Sequence, residues 1–163
     1  MEPPIKNIYM NQLNEVLEYL HNNNVEYVLY YSPEGFETVD KVVKQLNVDR
    51  DMILKTMVIS STKGLYTFLI RGGKRLDLDT VKLEIKDEKA RLADKNELLN
   101  ILGMPPGAIS PIHPAIIDKT TIYLDLDSTI YDKVIVGGGT TYHVIKVSLN
   151  ELIRILKPHY STL

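Results

Sequence analysis

The stretch Met52-Ile53-Leu54-Lys55-Thr56-Met57-Val58-Ile59 predicts a strand at the centre of the fold. Successive side chains of a strand point to opposite faces, and both faces of this stretch are apolar. One face would carry Ile53, Met57 and Ile59, and the other would carry Met52, Leu54 and Val58. A strand that is apolar on both faces is typical of a position inside a sheet that is covered on both sides.

Lys55 is the exception within this strand, because it would share a face with Ile53, Met57 and Ile59. An ammonium group in such surroundings is costly unless it reaches a partner or a cleft. The strand alone favours a simpler interpretation, in which the long side chain extends from near the sheet edge into solvent. A functional interpretation depends on features further along the chain.

Composition places the chain in the ordinary globular class. It has 163 residues, of which 44% are apolar and 25% are charged, and this length favours a single domain with a sizeable core. The net charge of −2 gives no overall field that attracts nucleic acid, so any contact with nucleic acid must be local. The chain has no cysteine, which excludes disulfides, thiolate zinc sites and cysteine nucleophiles.

The sequence carries no sign of export or of a membrane. No apolar run reaches the length of a membrane span. The start, Met1-Glu2-Pro3-Pro4, lacks the basic and apolar regions of a signal peptide. We therefore expect a cytoplasmic protein without a membrane partner.

Helices and strands alternate along the chain, with several hairpins. The patterns predict helices at 8–21, 39–46, 80–85, 95–102 and 149–157, and strands at 25–31, 52–60, 65–70, 90–93, 121–126, 134–136 and 142–147. Thr38 and Asp79 are the expected caps of the second and third helices, and Asp94 with Glu97 resembles a capping box for the helix at 95–102. We expect one mixed α/β (α+β) domain over 1–163, with a barrel-like sheet and flanking helices that include an N-terminal helix within 1–24.

Two glycine-containing segments could bind a ligand through the backbone. The loop from Met104 to Pro114 contains four prolines, and Gly107 within it permits close approach to the main chain. Its N–H groups could hold a carbonyl oxygen or a phosphate, or the loop could be a rigid connection without a ligand. Gly137-Gly138-Gly139 lacks P-loop spacing, so a wide hairpin turn is favoured there.

Several polar side chains remain open candidates. His113 and His143 are potential acid–base groups, although a lone histidine is more often structural. No histidine pair has metal-ligand spacing, and we predict no metal site. Ser110 lacks the setting of a nucleophile elbow. A small basic group, which would suit phosphate contacts, consists of Arg71, Lys74 and Arg75.

Taken together, these stretches resemble the YbaK / prolyl-tRNA-synthetase-associated editing domain family, a family of freestanding aminoacyl-tRNA deacylases. The resemblance covers about Val25 to Leu156. It is carried by Leu54-Lys55-Thr56, Arg75-Leu76-Asp77-Leu78, Ala93-Asp94, Gly107-Ala108-Ile109-Ser110-Pro111 and Val136-Gly137-Gly138-Gly139. Each motif is short, but their joint order is specific, because independent weak signals multiply.

The resemblance implies hydrolysis of the ester that joins a wrong amino acid to tRNA, without a metal, a cofactor or a covalent nucleophile. It implies that Lys55 and Gly107 act in catalysis, and that backbone groups of the loop hold the terminal adenosine and the ester carbonyl. The implied substrate-binding residues are Tyr31, Met57, Ala108, Ile109, Ser110, Pro111, His113, Gly138, Gly139 and His143. Arg71, Lys74 and Arg75 would contact the nucleic acid.

The expected partner is the 3′ end of an aminoacyl-tRNA, with a tRNA synthetase as a further candidate. The protein would be a monomer or a weak homodimer. Tyr142-His143-Val144 and His113-Pro114 depart from the usual family pattern, which leaves the amino acid open between choices such as cysteine and alanine on proline tRNA. A non-catalytic module that binds aminoacyl-tRNA 3′ ends or nucleotides is the alternative function, and a histidine-dependent hydrolase is a third.

Overall fold

The computed structural model describes residues 4–163; Met1 to Pro3, part of the predicted N-terminal helical segment, lie outside the described residues. The helices are α1 (Pro4–Asn22), α2 (Val39–Leu46), α3 (Leu78–Ile85), α4 (Lys95–Glu97, continued as a π-turn at Leu98–Leu102), α5 (Pro114–Lys119) and α6 (Leu149–Leu156). The strands are β1 (Tyr27–Tyr31), β2 (Leu54–Ser61), β3 (Gly64–Arg71), β4 (Arg91–Leu92), β5 (Thr120–Asp125), β6 (Lys133–Gly137), β7 (His143–Ser148) and β8 (His159–Ser161).

The strands form two sheets. The larger has the order β4-β2-β3-β5-β8, and the smaller has the order β1-β7-β6. The central position predicted for the Lys55 strand is confirmed, because β2 pairs antiparallel with both β3 and β4. The β3–β5 and β5–β8 pairs are parallel, so the larger sheet is mixed.

Over the described residues, backbone pairing joins the two sheets at one point, an isolated parallel bridge between Ile53 and Ile135. The predicted mixed α/β fold is confirmed, but the expectation of a single barrel-like sheet is corrected: over the described residues the two sheets do not close into a barrel. Beyond the bridge β2 and β6 separate, because β2 turns to pair with β4 at Ile59 and Ser60. This separation leaves a gap between the sheets.

The core lies on both faces of the larger sheet, as the apolar pattern of β2 predicts. Leu54 and Val58 belong to the main cluster, which also receives the buried residues of α1, β6, β7 and α6. Ile59 belongs to a second cluster with Phe68 and residues of α3. Ile53 lies in a third cluster under α2. The side chains of residues 53–59 therefore contribute to all three clusters.

Local signals in the sequence account for most helix starts. The side chain of Thr38 accepts a hydrogen bond from the Lys41 amide, and Asp94 and Glu97 form a reciprocal capping box, both as expected. The cap of α3 is Asp77, and the predicted cap Asp79 lies in the first turn, where a carboxylate also favours the helix dipole.

Two short elements were not predicted. Helix α5 begins at Pro114 with His113 as its N-cap, because proline is tolerated at the first helical position, where its missing N–H is not needed. Strand β8 pairs with β5 at only three positions, and its alternation is too short to recognise in the sequence.

We predict that Leu69→Ala lowers the free energy of unfolding by about 2–5 kcal/mol, because the side chain is 1% exposed between the two sheets and its removal leaves a cavity. The matched control is Leu83→Ala on α3, whose side chain is 74% exposed and should change stability by less than about 0.5 kcal/mol. Equilibrium denaturation in urea measures both. Equal effects would show that the junction between the sheets is not packed as described.

Candidate functional site

The gap between the two sheets is a cavity of about 420 Å³. This volume lies within the range of small-molecule sites, roughly 300–1,000 Å³. Apolar side chains form most of the wall, which is made by Phe36, Val39, Val42, Ile53, Leu54, Met57, Val58, Leu92, Ala93, Leu98, Pro106, Ile109, Ile135, Val136 and Val144. The polar side chains of the wall are those of Glu37, Thr38, Lys55 and Thr56.

Backbone groups along one edge of β2 face this cavity. The carbonyl of Ile53 accepts from the Gly72 amide on the β3 side at 2.8 Å, whereas the carbonyl of Val58 accepts from the Ala93 amide on the opposite side at 2.9 Å. Peptide groups of a strand alternate in direction, so those of Leu54 and Thr56 point the same way as that of Val58, toward the cavity. An unpaired strand edge is a template for polar groups of a ligand.

Thr56 adds a side-chain hydroxyl to the same wall. Its Oγ1 atom is buried and makes no hydrogen bond with any residue in the described range. Buried polar atoms almost always have a partner in folded proteins, and an exception calls for an explanation. A bound ligand or an ordered water would provide the missing partner.

Lys55 lines the cavity half-buried, and its Nζ atom donates a hydrogen bond to the Lys74 carbonyl in the loop after β3. Burial lowers the pKa of Lys55 below its ordinary value, and the positive charge of Arg50 lowers it further. The side chain therefore does not extend into bulk solvent, which was the simpler interpretation of the sequence.

Gly107 lines the cavity and lies against Glu37 in the segment before α2. Its φ of +81° favours glycine, and a Cβ atom there would lie 2.9 Å from the carbonyl oxygen of Glu37. The loop therefore approaches Glu37 closely only because residue 107 is glycine. The amide of Ala108 already donates to the Pro105 carbonyl at 3.1 Å, so this N–H stabilises the loop itself.

The third wall is formed by β6 where it meets the same loop. A Cβ atom on Gly137 would lie 2.2 Å from the carbonyl oxygen of Ile109, so a side chain at this position would push the loop away. Gly138 and Gly139 are not among the residues that line the cavity. The Gly138 amide donates to the His143 carbonyl at 3.0 Å, and Gly139 packs against Gln12 of α1.

Four of the residues proposed from the sequence therefore meet at the cavity: Lys55, Met57, Gly107 and Ile109. Tyr31 and His143 form a separate pair at the ends of β1 and β7, with ring centroids 5.2 Å apart. The Tyr31 side chain is 65% exposed, whereas His143 is buried, bonds to Thr140 Oγ1 through Nδ1 at 2.6 Å, and has its pKa lowered by burial. Their substrate-binding role remains a proposal.

The remaining loop residues are buried beneath the cavity wall. Ala108, Ser110 and Pro111 are buried, and Ser110 Oγ accepts from the Ile112 amide at 3.3 Å. His113 contacts Gln12 and Glu15 of α1 through Nε2. Burial lowers the pKa of His113, although the nearby Glu15 carboxylate opposes that effect. His113 therefore anchors the loop to α1, and a direct contact of these loop residues with substrate remains a proposal.

The basic group after β3 is mostly engaged within the protein. Arg71 Nη1 lies 3.0 Å from Asp51 Oδ2, and Lys74 Nζ lies 3.0 Å from Asp125 Oδ1. Arg75 is exposed. The proposed contacts of Arg71 and Lys74 with nucleic acid would therefore compete with these ion pairs.

Sequence reasoning missed the α2 side of the cavity. Phe36, Glu37, Thr38, Val39 and Val42 reach the site because α2 packs against the junction of the two sheets. The sequence predicts the helix over 39–46, but a helical pattern does not reveal which cavity the helix covers.

No helix among the described residues is long and apolar enough to cross a membrane. Within the same part of the chain, no group of three or more histidine, aspartate or glutamate side chains could hold a metal ion.

Comparison with known proteins decides the family. The family model of the aminoacyl-tRNA editing domain matches residues 33–155, which include every wall of the cavity.

The chain belongs to the aminoacyl-tRNA editing domain family.

The editing-domain chain is also similar to parts of larger enzymes and to solved structures. It is 27% identical over 139 residues to a proline–tRNA ligase of Pseudothermotoga lettingae, an alignment that covers 85% of this chain but only 22% of that relative. The structure of a hypothetical protein matches with a TM-score of 0.82 and 25% identity, over 91% of this chain and 97% of that one. A candidate trans-editing enzyme for prolyl tRNA synthetase shares the fold, with a TM-score of 0.81 and 22% identity over 100% of this chain and 98% of that one.

We predict that Gly137→Ala lowers the free energy of unfolding by about 1–3 kcal/mol, because the added methyl group overlaps the Ile109 backbone and cannot be relieved by a side-chain rotation. Lys133→Ala on the same strand is the control, since that side chain is exposed and its loss should have little effect. Thermal and urea unfolding measure both variants. A Gly137→Ala protein as stable as the control would contradict the close contact between β6 and the loop.

Proposed function

We propose that this chain is a trans-editing aminoacyl-tRNA deacylase, which hydrolyses the ester between a wrongly attached amino acid and the 3′ end of tRNA. The observation that carries the proposal is the meeting of Lys55, the Gly107 loop and the free edge of β2 around one cavity in a member of an editing-domain family. We place this activity in the cytoplasm, as the sequence led us to expect.

The shape and polarity of the cavity suit the end of an aminoacyl-tRNA. An apolar wall around about 420 Å³ would enclose a small amino acid and part of the terminal adenosine. The peptide groups of Leu54 and Thr56, with the unpaired Thr56 hydroxyl, would supply polar contacts to the α-amino and ester groups. We propose cysteine or alanine on proline tRNA as substrates, because the similar curated relatives are proline–tRNA ligases.

The reaction requires little beyond positioning, because an aminoacyl ester is already reactive. Water adds to the ester carbonyl carbon, the bond from that carbon to the ribose oxygen breaks, and the ribose oxygen takes up a proton. The products are a free amino acid and tRNA with a free 3′ terminus. Lys55 would contribute a fixed positive charge beside the negative charge that develops on the carbonyl oxygen or beside the terminal phosphate.

The surroundings of Lys55 support an electrostatic role. A charge acts more strongly in an apolar cavity that excludes water than it does at an exposed surface. The lowered pKa reflects the burial that makes this possible. The hydrogen bond to the Lys74 carbonyl holds the ammonium in a defined place before substrate arrives.

We predict that Lys55→Ala slows deacylation of mischarged tRNA by about 10²-fold or more, because a preorganised donor in an active site contributes about that much. The matched control is Lys63→Ala in the β2–β3 turn. Lys63 also donates to a backbone carbonyl, that of Ile85, but lies away from the cavity. Release of labelled amino acid from a panel of proline tRNAs carrying cysteine, alanine or proline measures the rates.

Two outcomes would contradict the proposal. Full activity of a folded Lys55→Ala protein would remove the assigned role of Lys55. Saturable binding of aminoacyl-tRNA by the wild type, with no turnover above the spontaneous rate on any tRNA, would instead support the non-catalytic binding module.

A further inference from the structure

The carbonyl group that receives Lys55 belongs to a short loop, Gly72 to Arg75, that leaves the end of β3. Lys55 has four flexible bonds in its side chain, so the position of its ammonium depends on the position of this acceptor. Two adjacent glycines, Gly72 and Gly73, precede Lys74, and glycine backbones are intrinsically mobile. Something must therefore hold the Lys74 carbonyl in place.

One restraint comes from the segment before β2. The Gly72 amide donates to the Ile53 carbonyl at 2.8 Å, and the Gly73 amide donates to Asp51 Oδ1 at 3.0 Å. A Cβ atom on Gly72 would lie 2.4 Å from the carbonyl oxygen of Arg50, so the loop packs directly on this segment. These contacts fix the start of the loop, and the Lys74 amide closes the turn by donating to the Arg71 carbonyl at 3.0 Å. The Lys74 carbonyl lies beyond this turn and depends on a further restraint.

The second restraint is the side chain of Lys74 itself, which bonds to carboxylates at and just after the end of β5 and is not part of the cavity wall. Its Nζ atom lies 3.0 Å from both Oδ1 and Oδ2 of Asp125 and 3.2 Å from Asp127 Oδ2. The Asp125 side chain is fully buried at 0% exposure, whereas that of Asp127 is 57% exposed. The buried carboxylate is therefore the stronger of the two anchors, because solvent screens the exposed one.

Asp125 is itself held rigidly. Its Oδ2 accepts from Ser128 Oγ at 2.6 Å, and its Oδ1 accepts from the Leu163 amide at 3.0 Å. Ser128 Oγ in turn accepts from the Arg71 amide at 2.7 Å, which connects the carboxylate back to the end of β3. Burial alone would raise the pKa of Asp125, but hydrogen bonds from Leu163, Ser128 and Lys74 outweigh burial and lower it, so the carboxylate is charged.

We propose that Asp125 is a positioning residue for Lys55: through its ion pair with Lys74, it fixes the carbonyl that holds the Lys55 ammonium at the cavity. The expected change in kcat rests on the proposed function. The hydrogen bonds that connect Asp125 to Lys55 are independent of that function. A partly buried ion pair is a poor source of net stability compared with packed apolar side chains, and the role proposed for this pair is therefore a geometric one. The Lys74 residue that forms the ion pair through its side chain also accepts the Lys55 hydrogen bond through its carbonyl.

The test compares Asp125→Asn with the matched control Asp127→Asn, since both replace a carboxylate that contacts the same ammonium. We expect Asp125→Asn to lower kcat for deacylation by about 10-fold to 100-fold with little change in KM, because a displacement of about 1 Å in a catalytic group has effects of that size. Asp127→Asn should stay within about twofold of the wild type. Lys74→Arg, which keeps the ion pair, should retain more activity than Asp125→Asn.

A second readout needs no substrate. Brief acetylation followed by mass spectrometry measures the reactivity of Lys55 relative to Lys63 in the same molecule. The hydrogen bond to Lys74 shields the Lys55 amine, so Asp125→Asn should raise this ratio by about threefold or more, whereas Asp127→Asn should leave it unchanged. A purely structural role for Asp125 would not change this ratio in a folded protein.

A further variant, Ser128→Ala, tests the same connection if Asp125→Asn does not fold. Ser128→Ala leaves both charges in place but removes one hydrogen bond to the carboxylate, and it should shift kcat and the labelling ratio in the same direction by a smaller factor. An unchanged labelling ratio in the folded variants would overturn the inference. A wild type without deacylase activity would overturn the proposed function, and the labelling ratio would still decide the role of Asp125.

Discussion

The cavity depends on the backbone bridge between Ile53 and Ile135, where the start of the β2 segment pairs with β6 before the two strands separate. If β2 and β6 paired along their whole length, their backbone N–H and C=O groups would bond to each other and no cavity would form. Because pairing ends at the bridge and β2 turns toward β4, the peptide groups of Leu54 and Thr56 stay available at an apolar wall. The site is thus a product of incomplete sheet closure.

Close backbone contacts then define the rest of the cavity. Gly107 allows the loop to approach Glu37, and Gly137 allows β6 to approach Ile109. Both positions require glycine because a Cβ atom would overlap the backbone that faces it. The charged part of the site has a different origin, since Lys55 is held by a loop whose own position is fixed by Asp51 on one side and Asp125 on the other.

The sequence predicted those features that follow from local pattern. The two apolar faces of β2, the Thr38 cap and the Asp94–Glu97 capping box each arise from residues near one another in the chain. The resemblance to editing domains added Lys55 and Gly107, which the structure brings to one cavity. The pairing of Tyr31 with His143 away from that cavity depends on the register of β1 and β7, which no local pattern contains.

The features that could not be predicted from the sequence depend on contacts between residues far apart in the chain. The barrel-like closure was wrong because the point where β2 leaves β6 is set by packing of the two sheets. Lys74 and Asp125 lie far apart in the chain, so their ion pair is visible only after β3 and β5 pair in parallel. For the same reason the sequence alone places Lys74 in a small basic group that would suit phosphate contacts.

The central claim is that the cavity between β2, the Gly107 loop and β6 is where the aminoacyl end of tRNA binds. Titration of the protein with a non-hydrolysable aminoacyl-adenosine analogue, followed by amide NMR, tests this most directly. We expect the largest shift changes at Leu54 to Met57, Gly107 to Ile109 and Gly137, with smaller changes at Tyr31 and His143. Perturbations centred on Tyr31 and His143, with the cavity amides unchanged, would contradict it.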